Sequence, residues 1–347
     1  MAMTRKHGPG PKLDIVTLIQ LVQDSVRSQL PPAGFDPMAA PQQELDKYAF
    51  PKRPDPTLQP RAYAFWEKMF ASPFAFDAFD FDKTFPSLNT QPRRGFFAQM
   101  PRQQDSPNWS GAYITPRDGT VFSEIWTEYQ VPTPNQPADG TAATYSSSTW
   151  IGLDGQRSYY MSTLPQFGTS QNIDVSTGVP ARSYFAWWQW WARDVLGAAY
   201  PIPLTAPTIH ASDLIMLFMQ VADNRAGVSF MMKNVTTGRV VQFFQSPPTV
   251  PGLPFKVSGA TAEWVMERPA DPPHPTPLQQ LPDYGTVDFH DCGATAVNMD
   301  TGVSVERSLS AARLIDMYVV REGPERIVKN SIAEQLSDSE FLTEYRY

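Results

Sequence analysis

Thr261-Ala262-Glu263-Trp264-Val265-Met266-Glu267 reads as one β-strand with a divided character. Successive side chains on a strand point to opposite faces, so Ala262, Trp264 and Met266 share one face while Glu263, Val265 and Glu267 share the other. The first face is apolar and calls for a second layer to cover it. The second carries two carboxyls, which either look onto solvent or line a cleft. Glutamate on an exposed strand face is ordinary, and this run alone leaves both readings open.

Upstream, Tyr184-Phe185-Ala186-Trp187-Trp188-Gln189-Trp190-Trp191 is apolar on both faces. Such a strand needs a second sheet on one side and loops or a ligand on the other. Further strand-length runs rich in Val, Ile, Thr, Tyr, Phe and Trp lie at Val121–Val131, Ser148–Leu153, Asp213–Val221, Gly227–Lys233, Arg239–Phe244, Gly285–Phe289 and Leu314–Val320, separated by Gly, Pro, Asn and Asp. Thr236-Thr237-Gly238 has the make-up of a hairpin connection. The chain holds 35 prolines and 12% aromatics. Proline is excluded from helix interiors and central strands, so this usage implies short strands and many loops. The pattern predicts an all-β body, an antiparallel two-sheet jelly-roll sandwich in one domain.

The first hundred residues differ in texture. Lys12 to Leu30 carries Ile15, Leu18, Ile19, Val22 and Val26 at helical spacing and is stopped by Pro31-Pro32, which predicts a helix. Pro31 to Pro60 lacks periodicity and reads as an extended arm, and Arg61 to Ala71 as a short helix presenting Tyr63, Trp66 and Phe70. Phe74, Phe76, Phe79, Phe81 and Phe85 are too apolar for a free tail and are expected to pack on the body. The expected division is an extension over residues 1–97 and the sandwich over 98–347.

A net charge of −7 with no basic block argues against nucleic acid. The single cysteine, Cys292, excludes an internal disulfide, and no zinc-ligand spacing or other cofactor signature is present. No apolar run is long enough to span a bilayer, and the N-terminus has no uninterrupted apolar core of the signal-peptide kind. The default expectation is a soluble protein of the reducing cytoplasm, free of membrane. The four histidines sit in no motif, and no serine is framed by a nucleophile elbow.

Several segments, in order, resemble the glutamic peptidases, the eqolisins. Asn108-Trp109-Ser110-Gly111-Ala112 resembles the opening strand of that family, and Tyr129-Gln130-Val131-Pro132 the close of the next. Thr149-Trp150-Ile151-Gly152-Leu153-Asp154-Gly155 is similar to its Trp-Val-Gly-Ile-Asp-Gly signature. Leu164-Pro165-Gln166-Phe167-Gly168 falls where the family carries its catalytic glutamine. Lys233-Asn234-Val235-Thr236-Thr237-Gly238 resembles its hairpin, Thr261 to Glu267 the strand ending on its catalytic glutamate, and Asp283-Tyr284-Gly285-Thr286-Val287 a late strand. The resemblance runs from about Asn108 to the C-terminus and implies a concanavalin-like sandwich.

It also implies a mechanism. Glu267 would act as general base on a water and then protonate the leaving amine, while Gln166 would position the water and donate to the oxyanion. A carboxyl in an aromatic cleft should have a raised pKa and work best in acid. Trp109, Trp150, Asp154, Phe185, Trp187, Gln189 and Glu263 are expected around the pair. The sequence departs from the family at Gln189, where an acidic residue is usual, and at Phe185, where the fungal peptidases carry another. Phe167 and Ala192 also depart. The implied partner is a polypeptide substrate. A cleft depleted of carboxylates also suits an intracellular enzyme that cyclises or isomerises a hydrophobic small molecule, and a jelly roll can serve as a non-catalytic binding module.

Overall fold

The computed structural model describes residues 25–81, 103–155, 163–192, 201–247, 249–250, 253–254, 256–270, 277–321 and 326–346. Its strands are β1 (Val26–Arg27), β2 (Ala75–Phe76), β3 (Gln103–Ser106), β4 (Trp109–Ile114), β5 (Thr120–Gln130), β6 (Thr144–Leu153), β7 (Thr163–Asp174), β8 (Ala181–Ala192), β9 (Ile202–Pro203), β10 (Leu214–Val221), β11 (Val228–Asn234), β12 (Arg239–Gln245), β13 (Thr249–Val250), β14 (Leu253–Pro254), β15 (Ala262–Glu267), β16 (Thr286–Asn298), β17 (Ser304–Arg307), β18 (Arg313–Arg321), β19 (Arg326–Gln335) and β20 (Phe341–Tyr345). Among the described residues, two helices, α1 (Gln42–Lys47) and α2 (Pro60–Ala71), precede the sandwich.

Pairing defines two layers. The front layer runs β9-β8-β7-β6-β15-β4-β18. The back layer runs β1-β12-β11-β10-β5-β16. At one edge β19 and β20 link the layers, because β20 pairs with β16 and β19 pairs with β18. Alternation sorts the side chains as period-2 sterics require. Ala262, Trp264 and Met266 of β15 and Ala186, Trp188 and Trp190 of β8 meet Leu217, Phe230, Met232 and Phe243 of the back layer in the central core. Trp264 Nε1–H crosses the layers to donate to the Trp126 carbonyl at 3.0 Å. This satisfies an indole that burial would otherwise leave costly.

The back layer is apolar on its outer face too, through Trp126, Met216, Phe218, Met231 and Val240. The extension covers that face. Phe65, Trp66, Met69 and Phe70 of α2 pack on it, with Phe65 stacked 6.4 Å from Phe218. Each such buried side chain contributes roughly 1.5–3 kcal/mol. The start of α2 is satisfied by Glu306 of β17, which accepts from the Arg61 N–H at 3.2 Å and the Ala62 N–H at 2.7 Å. Phe74 and Phe76 pack against the same cluster, whereas Phe79 and Phe81 pack on Phe243. Phe85 lies outside the described residues.

Most expected strands are present within a few residues, and the Thr236-Thr237-Gly238 hairpin joins β11 to β12. The helix expected over Lys12 to Leu30 needs correction at its end. Residues 12–24 lie outside the described residues, but Val26–Arg27 is a strand on the edge of β12. There the edge's unpaired backbone groups outweigh the helical periodicity. The extended arm over Pro31 to Pro60 contains the short helix α1, whose Leu45 anchors it in the cluster under α2.

Candidate active site

The front layer's outer face is built from rows of residues that lie opposite one another across the strands. One row runs Gln189, Gln166, Gly152, Glu263, Tyr113 and Arg313. The next runs Trp187, Gly168, Trp150, Val265, Gly111 and Ile315. A third runs Phe185, Ser170, Ser148, Glu267 and Trp109. Trp109, Tyr113, Trp150, Leu164, Trp187, Trp191, Val265 and Ile315 form an apolar cluster on this face, separate from the central core, with Phe185 against it. The aromatic strand is therefore apolar on both faces because each face is buried in a different cluster.

Glycine at the centre of the face is required by close approach. A Cβ at Gly168 would lie 2.1 Å from the Thr149 carbonyl oxygen and 2.6 Å from Trp150 Cβ. Only bare backbone lets Trp150 occupy its place, and that indole meets a carboxyl. Its Nε1–H donates to Glu267 Oε2 at 2.8 Å, while Asn108 Nδ2–H donates to Oε1 at 3.1 Å. Ser106 Oγ–H in turn donates to Asn108 Oδ1 at 3.2 Å. Trp109 meets Trp150 edge to face, with ring centroids 5.0 Å apart.

Glu267 is fully buried. Burial is the largest influence on its carboxyl and pushes it up to about 8, against the opposing effect of the N–H groups of Trp109, Trp150 and Asn108. A carboxylic acid that keeps its proton to near-neutral pH is suited to proton transfer in acid.

Gln166 is also fully buried, and its Nε2–H donates to Gln189 Oε1 at 2.8 Å. Thr261 Oγ1–H donates to Glu263 Oε1, which braces this second carboxyl from its own strand. Asp154 has a different task. Its backbone is left-handed, with φ of 76°. Its carboxylate accepts from the Ser258 N–H at 2.5 Å, the Ser258 hydroxyl at 2.8 Å and the Ala260 N–H at 2.7 Å. It thereby ties down the loop that enters β15, and so fixes where Glu267 begins its approach. Burial raises the Asp154 carboxyl, and these donors, with the Arg225 charge, lower it.

The structure thus brings Gln166, Glu267, Trp109, Trp150, Phe185, Trp187, Gln189 and Glu263 to one face and turns Asp154 to the loop. Gln166 and Glu267 are not on neighbouring strands, because β6 lies between β7 and β15. Sequence reasoning missed Asn108 as a partner of the carboxyl. Its only signal was its place before Trp109, since it meets Glu267 across 159 residues of chain.

The Peptidase A4 family model matches residues 107–335. A structure of scytalido-glutamic peptidase with a peptide-based transition state analog is 20% identical, with a TM-score of 0.50, covering 69% of this chain and 98% of that one. A structure of SCP-B, a member of the eqolisin family of peptidases in complex with the tripeptide Ala-Ile-His, is 19% identical at a TM-score of 0.48, with the same coverage. No curated protein matches the chain. The first likeness shows the sandwich fold. The match over residues 107–335 spans well over half the sequence, and the chain belongs to the Peptidase A4 family, the glutamic peptidases.

Proposed function

We propose that this chain hydrolyses peptide bonds in acid, with Glu267 as the proton-transfer group and Gln166 as the hydrogen-bonding partner of the scissile carbonyl. The observation that carries this reading is the fully buried Glu267 carboxyl, held by Trp150 and Asn108 and protonated to about pH 8. Through the acid range that carboxyl enters the reaction carrying its proton. As water adds to the carbonyl carbon, Glu267 gives its proton to the scissile nitrogen, which leaves as the amine when the C–N bond breaks. The proton lost by water returns to the carboxyl. Gln166 suits its role because a carboxamide donates and accepts without titrating, so it can polarise the carbonyl without competing for the proton. The indoles around Glu267 exclude water, which strengthens both effects.

The test is digestion of an unstructured protein by the full-length chain between about pH 3 and 8. Cleavage in acid is expected, with a loss of roughly 100- to 10,000-fold in Glu267→Gln. No cleavage at any pH, or cleavage indifferent to Glu267→Gln, refutes the reading.

A further inference from the structure

The half of the front face that holds Gln166 has an unusual chemistry. From Leu164 to Ser170 on β7, Phe185 to Trp191 on β8 and Ser148 to Gly152 on β6, the residues whose side chains share that face are Leu164, Gln166, Ser170, Phe185, Trp187, Gln189, Trp191, Ser148 and Trp150, besides the two glycines. None of them ionises in the working range. The β9 residues beside β8, Ile202 and Pro203, do not ionise either. Apart from Asp174 at the far end of β7, the ionisable groups of the described face all come from the other side of β6: Glu263 and Glu267 on β15, Tyr113 on β4 and Arg313 on β18. Asp154, at the end of β6, is turned to Ser258 and Ala260.

Gln166 and Gln189 are register partners, and the 2.8 Å bond from Gln166 Nε2–H to Gln189 Oε1 is buried at both ends. A carboxamide presents N–H on one side and C=O on the other, so the partner that accepts its N–H also decides where its carbonyl oxygen points. We propose that Gln189 is a positioning residue, whose non-titrating oxygen holds the Gln166 carboxamide in one orientation at every working pH and so confines the pH dependence of the site to the carboxyls of β15. This rests on the peptidase reading given above, and it assigns a task to a side chain that touches no reacting atom.

The test is steady-state cleavage of an internally quenched peptide by the full-length chain across about pH 3 to 8, comparing wild type, Gln189→Met and Gln189→Glu. Gln189→Met has nearly the same length but no acceptor of comparable strength. It is expected to lower kcat roughly 10- to 100-fold, with KM and the shape of the pH profile little changed. Gln189→Glu offers only acceptors once ionised, whereas its protonated form adds an O–H that can donate to the Gln166 carbonyl oxygen and turn the carboxamide, so kcat should recover above the pKa of the new carboxyl and the profile should gain an ionisation. Wild-type kcat in Gln189→Met, or a Gln189→Glu profile that superimposes on wild type, overturns the proposal. A wild type that cleaves nothing refutes the peptidase reading instead. The positioning claim is then read from the Gln166 side-chain amide signals by NMR. Slow hydrogen exchange in wild type that becomes fast in Gln189→Met supports it, and equal rates in both overturn it.

Discussion

Glu267→Gln should stabilise the fold at neutral pH relative to wild type, by an amount that grows as pH rises. The carboxyl's ordinary value is 4.5, and burial raises it to about 8 in the folded chain. Below about pH 4.5 both folded and unfolded chains hold the proton, and the group imposes no pH-linked cost. Between these values the unfolded chain releases the proton and the folded chain keeps it, so wild-type stability falls with rising pH. Above about 8 the deficit is complete. A displacement from 4.5 to about 8 corresponds to roughly 5 kcal/mol, at about 1.4 kcal/mol per pH unit. For a chain of 347 residues that is a midpoint difference of roughly 7 °C. Glutamine does not ionise and escapes this cost. Its changed hydrogen bonds to Trp150 and Asn108 add an offset that does not vary with pH. Denaturation followed by tryptophan fluorescence at intervals from about pH 4 to 9 gives the stability difference between variant and wild type, in which the other carboxyls cancel. A difference that climbs toward the variant by several kcal/mol is the expected result. A flat difference, or one that falls with pH, would mean that Glu267 is ionised in the folded state and would refute the reasoning.

Two further outcomes follow from packing. Deleting residues 1–97 uncovers Trp126, Met216, Phe218, Met231 and Val240 on the back layer, and the truncated chain should be insoluble or strongly destabilised on expression. Equal solubility and an unchanged thermal midpoint would show that the extension is dispensable. Gly168→Ala forces a Cβ to within 2.1 Å of the Thr149 carbonyl oxygen, with an expected cost of about 3 kcal/mol in urea denaturation. A change below about 0.5 kcal/mol would show that β6 and β7 can part there without loss.

The face that Trp150 shares with Glu267 balances two demands. The acid hydrolysis proposed above calls for a carboxyl that holds its proton, and burial among the surrounding indoles supplies this. The same burial makes the neutral-pH fold less stable than a glutamine would, which is the usual relation between a strained functional group and the rest of the fold. The extension contributes at the back of the sandwich, where Glu306 and the aromatic face of α2 hold it far from this carboxyl's partners.

Much of this was legible in the sequence because strand alternation is a local property. The division of Ala262, Trp264 and Met266 from Glu263, Val265 and Glu267 needs only the pleat of the backbone, and the structure puts the first group in the central core and Val265 in the outer cluster. Phe185, Trp187, Gln189 and Trp191 fall on one face for the same reason. The strand carrying Gln166 was less legible from pattern alone, because Pro165 and Gly168 interrupt it, and it was placed by family resemblance. The run Gly285–Phe289 reads as a strand that ends at Phe289, yet β16 continues to Asn298 through an irregularity between His290 and Gly293. Tertiary structure alone decided the relations between distant segments. Which strand separates Gln166 from Glu267 depends on strand order, and no local pattern encodes that. Asn108 and Trp150 reach Glu267 across 159 and 117 residues. The carboxyl's raised pKa is likewise a property of the folded chain, because desolvation exists only once the indoles have closed around it.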